Sequence, residues 1–181
     1  DLEWLELSEK MMLYVLEHFY DSRSSMFFFT SDLDPKLVAR KMEVHDDVVP
    51  SSNSVLANSL FDLGVIRANN KYKNMAALIL NNIKPKMDSY FTSYANYANL
   101  LLKYTKPFYE VIITGKDAFK KSIKINNFYS PNKLLIGGDN SNYIPLLKGK
   151  KSNNLFYYIC EDGLCKQPTS DIKEAINLLH W

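Results

Sequence analysis

The chain has 181 residues, of which 46% are hydrophobic, 13% aromatic and 23% charged. That composition excludes a disordered chain and suits one core, or a core with a small appended subdomain, at the usual roughly 100–200 residues per domain. The 22 basic and 20 acidic side chains leave a formal charge of +2, too little to concentrate a polyanion, so nucleic acid is not an expected partner.

From Leu2 to Phe19 the residues Leu5, Met12, Val15, Leu16 and Phe19 recur at helical spacing and predict a first helix. Phe27-Phe28-Phe29-Thr30 reads as a brief extended segment, and Leu33 to Val49, bracketed by Pro35 and Pro50, as a long loop of the kind that often carries function. A helix follows through Val55, Leu56, Leu60, Leu63 and Ile66, with Ser51 or Ser52 as its N-cap. Two more helices are expected, from about Tyr72 to Ile83 and from about Pro85 to Tyr104, packed antiparallel across short connections. The character then changes. Phe108 to Thr114 is a β-branched run ending at Gly115, Lys116 to Phe128 an amphipathic helix through Ala118, Phe119, Ile123 and Ile125, and Lys133 to Gly138 a second strand, which together predict a βαβ-like unit with a parallel pair. Leu155 to Cys160 is a further strand, Asp162-Gly163 a turn, and Asp171 to Leu179 a last helix capped by Thr169 or Ser170. The basic stretch from Lys116 to Lys151 spaces its lysines among apolar residues, as a solvated helix face does.

No apolar run approaches the roughly 20 residues that cross a bilayer, so a soluble chain without membrane contact is expected. A start at Asp1, with neither Met nor a basic-then-apolar leader, leads to the expectation of a piece of a larger, cytoplasmic protein. Cys160 and Cys165 are too few to supply a structural zinc site, and the histidines lie far from them in sequence, so neither a metal nor a cofactor is indicated. The two cysteines bracket a turn; they read as structural thiols, a local staple or a redox pair. Thr114-Gly115-Lys116-Asp117 offers one glycine and neither nucleotide-binding fingerprint.

The stretch from Arg40 to Ser54 (RKMEVHDDVVPSSNS) is the candidate site. Glu43 and Asp46 stand three apart with His45 between them and Arg40 ahead, a set that in a cleft does acid–base work on sugar hydroxyls, and elsewhere serves as an ion-paired loop anchor. The Pro50-Ser51-Ser52-Asn53-Ser54 turn adds a helix N-terminus whose free N–H groups attract a carboxylate or a ligand oxygen. On this reading Glu43 and Asp46 are the catalytic candidates, while Arg40, His45, Ser51 and Asn53 bind substrate.

Phe27 to Asp32, then Arg40 with Glu43, Asp46, Pro50, Ser51, Asn53 and Ser54, then Glu110 to Gly115, and finally Tyr158-Ile159-Cys160 through Cys165, Gln167, Pro168, Thr169 and Asp171 carry a resemblance. Over nearly its whole length the chain resembles the C-terminal part of the thioredoxin-domain-containing protein family that includes the spermatogenesis-associated thioredoxin-like protein and bacterial relatives. In that family the loop looks like R-x-x-E-x-x-D-G-x-x-P-S-G-N-S and the tail like Y-V-C-x-x-x-x-C-x-x-P-x-x-D. Here Asp47 and Ser52 replace the two loop glycines, Met26 replaces another, and His45 takes an aromatic position; the backbone at Asp47 and Ser52 must therefore avoid φ > 0 or carry strain.

The resemblance implies a mainly α fold. Residues 1–104 would be the last helical hairpins of an (α/α) six-hairpin toroid similar to N-acylglucosamine 2-epimerases and six-hairpin glycosidases, and residues 105–181 a small α/β (βαβ-like) subdomain. It also implies a carbohydrate ligand, faced by Arg40, Glu43 and Asp46, and an N-terminal thioredoxin-like domain with the rest of the toroid as partners. Two functions follow, a carbohydrate-associated domain or a non-catalytic interaction module serving the thioredoxin-like domain. Helices lacking their neighbours predict exposed apolar surface and self-association.

Overall fold

The computed structural model describes residues 2–35, 38–138, 144–150 and 152–179. Lys36 and Leu37 of the long loop, and Lys151 at the end of the basic stretch, lie outside the described residues. The chain forms two compact units, one of residues 1–65 and 69–101, the other of residues 66–68 and 102–181.

In the first unit, helix α1 (Leu2–His18) leads into a short antiparallel hairpin of β1 (Tyr20–Asp21) and β2 (Met26–Phe27). The Phe27 to Thr30 run is thus a strand only at its first residue. The long loop then delivers the chain to α2 (Ser52–Ile66), followed by α3 (Asn70–Met87), a 3-10 turn (Phe91–Tyr94) and α4 (Ala95–Thr105). Ser51 caps α2 as predicted, its Oγ accepting from the Ser54 N–H at 3.2 Å, and the Asn69 side chain caps α3 by accepting from the N–H groups of Lys71 and Tyr72. Pro85 does not start a helix: it lies inside α3, near its end. A proline so placed has no N–H for the carbonyl four residues back and its ring crowds that carbonyl; α3 ends two residues later, at Met87, and the expected Pro85 to Tyr104 helix is divided among α3, the 3-10 turn and α4. Leu60, Ile79, Tyr97 and Leu100 are fully buried, and Ile83 nearly so, as the helical period requires.

The second unit is built on a four-stranded sheet in the order β4-β3-β5-β6, comprising β3 (Tyr109–Thr114), β4 (Lys133–Gly138), β5 (Phe156–Glu161) and β6 (Leu164–Cys165). β3 and β4 are parallel, with α5 (Ala118–Asn126) between them in sequence, while β3–β5 and β5–β6 are antiparallel. Alternate residues of β3, Tyr109, Val111 and Ile113, form one core with Ala118 and Ile125 of α5, Tyr157 and Ile159 of β5, and Ala175 of α6 (Ile172–Asn177). Every residue of β3 is buried, the pattern of a central strand. Phe119 and Ile123, expected on the inner face of α5, are 78% and 53% exposed, and the inner face is Ala118 and Ile125. Lys120 and Lys124 are exposed, as a solvated helix face predicts. Asp171, not Thr169 or Ser170, caps α6 by accepting from the Lys173 N–H at 2.9 Å.

The expected mainly α toroid segment is overturned. The structure is 49% helical and 15% strand, with six helices and sheets of two and four strands among the described residues, an α/β architecture. Helical periodicity reports that a segment has one apolar face, a condition met by any layer that covers it, and says nothing of hairpins repeating around a ring.

Cys160 and Cys165 are directly opposed in the β5–β6 register and joined as a disulfide, so of the three readings two separate structural thiols are the one not observed. Its loop is short. Replacing both cysteines by serine is expected to cost about 2 kcal/mol from loop-closure entropy, read as a lowered urea midpoint.

Candidate functional site

The loop from Arg40 to Ser54 ends against the start of α2, where a helix leaves its first N–H groups without partners inside the helix. Asp46, only 8% exposed, takes up this position. Its Oδ1 accepts from the Ser51 N–H at 2.9 Å and from the Ser54 hydroxyl at 2.6 Å, and its Oδ2 from the Asn96 N–H at 2.9 Å. Glu43 is exposed, and its Oε2 accepts from the Ser52 N–H at 3.1 Å. Both carboxylates therefore sit at the positive end of the α2 dipole, which favours them electrostatically. The two acids are brought together around one helix start, with both oxygens of Asp46 engaged by donors.

Arg40 goes elsewhere. Its Nη2 donates to the carbonyls of His18, at 3.2 Å, and Thr30, and its guanidinium lies 4.1 Å from the Phe28 ring centre. It forms no ion pair with Glu43 or Asp46 among the described residues. Stacking on an aromatic face while satisfying carbonyls is a use for which a planar guanidinium is well shaped, and here it ties the loop to the end of α1 and the segment after β2. His45 is exposed and lies against the Tyr94 ring at 5.3 Å between centres.

Asn53 is fully buried in the first turn of α2. Its Oδ1 accepts from the Phe27 N–H, and its Nδ2 donates to the carbonyls of Phe27 and Glu43, each at 2.8 Å. One side chain thus completes the edge of β2 and fastens the loop. Asn53→Ala would leave those buried backbone groups unpaired and is expected to cost about 2–3 kcal/mol, measurable by chemical denaturation with no change in helix content at low denaturant.

Besides Ser51, the remaining members of this network, Ser54, Asn58, Asn96 and Tyr97, are not among the candidate catalytic or binding residues of the sequence. The Ser54 hydroxyl accepts from Asn96 Nδ2 at 3.0 Å, Asn58 Nδ2 donates to the carbonyls of Ser54 and Asn96, and the Ser51 hydroxyl lies 3.3 Å from the Tyr97 hydroxyl. Burial, aided by the nearby Asp46 charge and opposed by the Ser51 contact, pushes the Tyr97 phenol far above its ordinary range, so it stays protonated. Asn96 and Tyr97 stand more than forty residues from the loop, and asparagines are common throughout the connections, so no local signal marks them.

Neither Asp47 nor Ser52, which stand where the resembled pattern has glycines, adopts a positive φ; among the described residues the non-glycine ones that do are Ser25, Ala68, Asp117 and Asp162. The loop therefore turns without left-handed strain at those two positions. No protein-family model matches the chain, and neither does any curated protein.

A cleft of about 350 Å³ opens in the second unit beside Phe128, Tyr129, Ser130 and Lys133, and none of the loop residues lines it. Lys133 Nζ donates to the carbonyls of Phe128 and Ser130, both at 3.0 Å, and its burial lowers the ammonium pKa. Among the described residues no group of His, Cys, Asp and Glu is placed to hold a metal ion, and no helix is long and apolar enough to cross a membrane.

Proposed function

We propose that this chain is a non-catalytic interaction module serving a thioredoxin-like domain, and that it docks through the outward stripe of α1. That stripe is the observation that carries the reading. Trp4, Leu7, Met11 and Tyr14 recur at steps of three, four and three along α1 and are 65%, 43%, 62% and 49% exposed. Single exposed apolar side chains need no explanation, whereas a continuous stripe of large ones marks a contact surface. The helix does not need this stripe in order to pack, because Met12 on its other side is buried and Leu5, Val15 and Leu16 are half-buried.

The loop supports the same reading. Acid–base chemistry needs a carboxylate oxygen turned toward a substrate, whereas both oxygens of Asp46 hold donors of the protein itself and Arg40 is spent on carbonyls. The thioredoxin-like nature of the partner comes from the resemblance carried by Arg40, Glu43, Asp46, Asn53 and the Cys160 to Asp171 tail.

Titrating the Trp181→Phe chain, whose sole tryptophan is Trp4, with a thioredoxin-like domain while following its fluorescence tests the proposal. A blue shift that Met11→Glu abolishes, with no heat on injection of monosaccharides, is the expected result. Saccharide binding that disappears in both Glu43→Gln and Asp46→Asn would instead return the loop to a carbohydrate role.

A further inference from the structure

The cleft of about 350 Å³ in the second unit falls at the low end of the roughly 300–1,000 Å³ typical of small-molecule sites. Its place follows from the sheet. β4 is an outer strand, and Leu134 and Leu135, whose side chains leave a strand on opposite faces, both line the cleft. The opening therefore runs along the edge of β4 that no described strand covers, against the connection that leads from α5. Phe128 and Pro131 complete an apolar wall.

The polar groups in this wall are incompletely matched. Lys133 Nζ gives two of its three N–H groups to the carbonyls of Phe128 and Ser130, both at 3.0 Å, and it meets no carboxylate among the described residues. Its charge is thus left without a counterion at a partly buried position, where burial already lowers the ammonium pKa. Ser130 is 3% exposed, and its hydroxyl has no hydrogen-bond partner among the described residues. A buried hydroxyl in that state is destabilising, and one rotation about its Cα–Cβ bond redirects it.

We propose that this cleft binds a small monocarboxylate with an aromatic or branched aliphatic body, its carboxylate paired with Lys133 and its body lying on Phe128, Leu134 and Leu135. The proposal goes beyond docking through α1 and does not depend on it. The third Lys133 N–H and the Ser130 hydroxyl are donors that lack an acceptor, and an anion supplies one. The two carbonyl oxygens already beside Nζ repel a second negative charge, which favours a carboxylate over a phosphate dianion. The apolar wall rewards a carbon body and gives nothing to a bare ion.

The test follows the backbone amide NMR shifts of the full chain during titration with phenylacetate, phenylacetamide, acetate and inorganic phosphate. Phenylacetate is expected to move the amides of Phe128, Ser130 and Lys133 to Leu135 in a saturable way. Phenylacetamide has the same ring without the charge, and acetate the charge without the ring. Each should bind about tenfold more weakly, the loss that follows from one charge-assisted hydrogen bond or from the burial of one ring. Lys133→Met keeps the apolar stem and should remove the preference for phenylacetate over phenylacetamide, whereas Lys133→Arg should keep it. The contrast between the two ligands is read in the unaltered chain, so it stands even where Lys133→Met loosens the connection at Phe128. Equal affinity for phenylacetate and phenylacetamide would overturn the anion site. Shifts confined to other residues, or none that saturate, would overturn the cleft, and phosphate binding more tightly than phenylacetate would overturn the carboxylate.

Discussion

Asp46→Ala is expected to lower stability by about 4 kcal/mol, a large share of the roughly 5–15 kcal/mol that holds a typical domain folded. The deleted carboxylate accepts from Ser51 N–H, Ser54 Oγ and Asn96 N–H, and hydrogen bonds to a charged acceptor are each worth about 1.5–3 kcal/mol, with the donors left behind adding their own desolvation cost. Asp46→Asn keeps the shape but turns an NH2 group toward one of those donors, so about half the loss is expected. Urea unfolding of the three proteins checks the order. A fall of less than 1 kcal/mol in the alanine variant would mean that water satisfies the exposed donors and that Asp46 is not the anchor of the loop. Glu43→Gln should differ from all of these. Glu43 is exposed and its Oε2 meets a single N–H, so an effect within about 0.5 kcal/mol is expected, as for surface substitutions generally.

Gly115→Ala is expected to be as damaging, for a different reason. At the end of β3 the residue has φ +90, and a Cβ placed there would lie 2.2 Å from the Asn154 carbonyl oxygen and 2.5 Å from its carbon. The left-handed backbone costs a non-glycine residue about 1–2 kcal/mol, and relieving an overlap with main chain costs about 1–3 kcal/mol more. The chain around Asn154 leads directly into β5, whose register with β3 runs from Thr114–Phe156 to Tyr109–Glu161. Forcing that segment away loosens the central strand pair, so the loss, about 4 kcal/mol in all, should appear as reduced amide protection in β3 and β5. Gly137 is a fitting control, because a Cβ there meets nothing closer than 3.8 Å. If Gly115→Ala is no less stable than Gly137→Ala, the close approach at Asn154 is not a constraint on the fold.

These two residues show how unevenly the sequence discloses its structure. Gly115 is visible as the end of a β-branched run, but the sequence could not reveal that the main chain at Asn154 passes where a Cβ would stand. Asp46 was visible as one of a pair of acids ahead of a helix start, and its capping of α2 follows from proximity in the chain. Its third donor, the Asn96 N–H, was not visible. For Arg40, adjacency to Glu43 and Asp46 suggested an ion pair, whereas carbonyls at His18 and Thr30, with the Phe28 ring, take up the guanidinium. Pro85 misled in the other direction, as a helix start that lies within α3.

What the residues alone determined was local: the span of α1 from its apolar spacing, a serine cap at Ser51 or Ser52, the strand character of β3 from its β-branched run and of β5 from its aromatic and apolar run, and the closeness of Cys160 and Cys165 across a two-residue turn. Each depends on φ, ψ and side-chain period over a few positions, and those preferences act before any tertiary contact forms. The tertiary structure alone decided that an α/β architecture replaces the helical toroid, that Asp46 is buried and fully engaged, and that the Trp4, Leu7, Met11 and Tyr14 stripe faces outward. An amphipathic period establishes which residues share a face; what covers that face, and which distant donors reach a buried carboxylate, depends on the path of the whole chain.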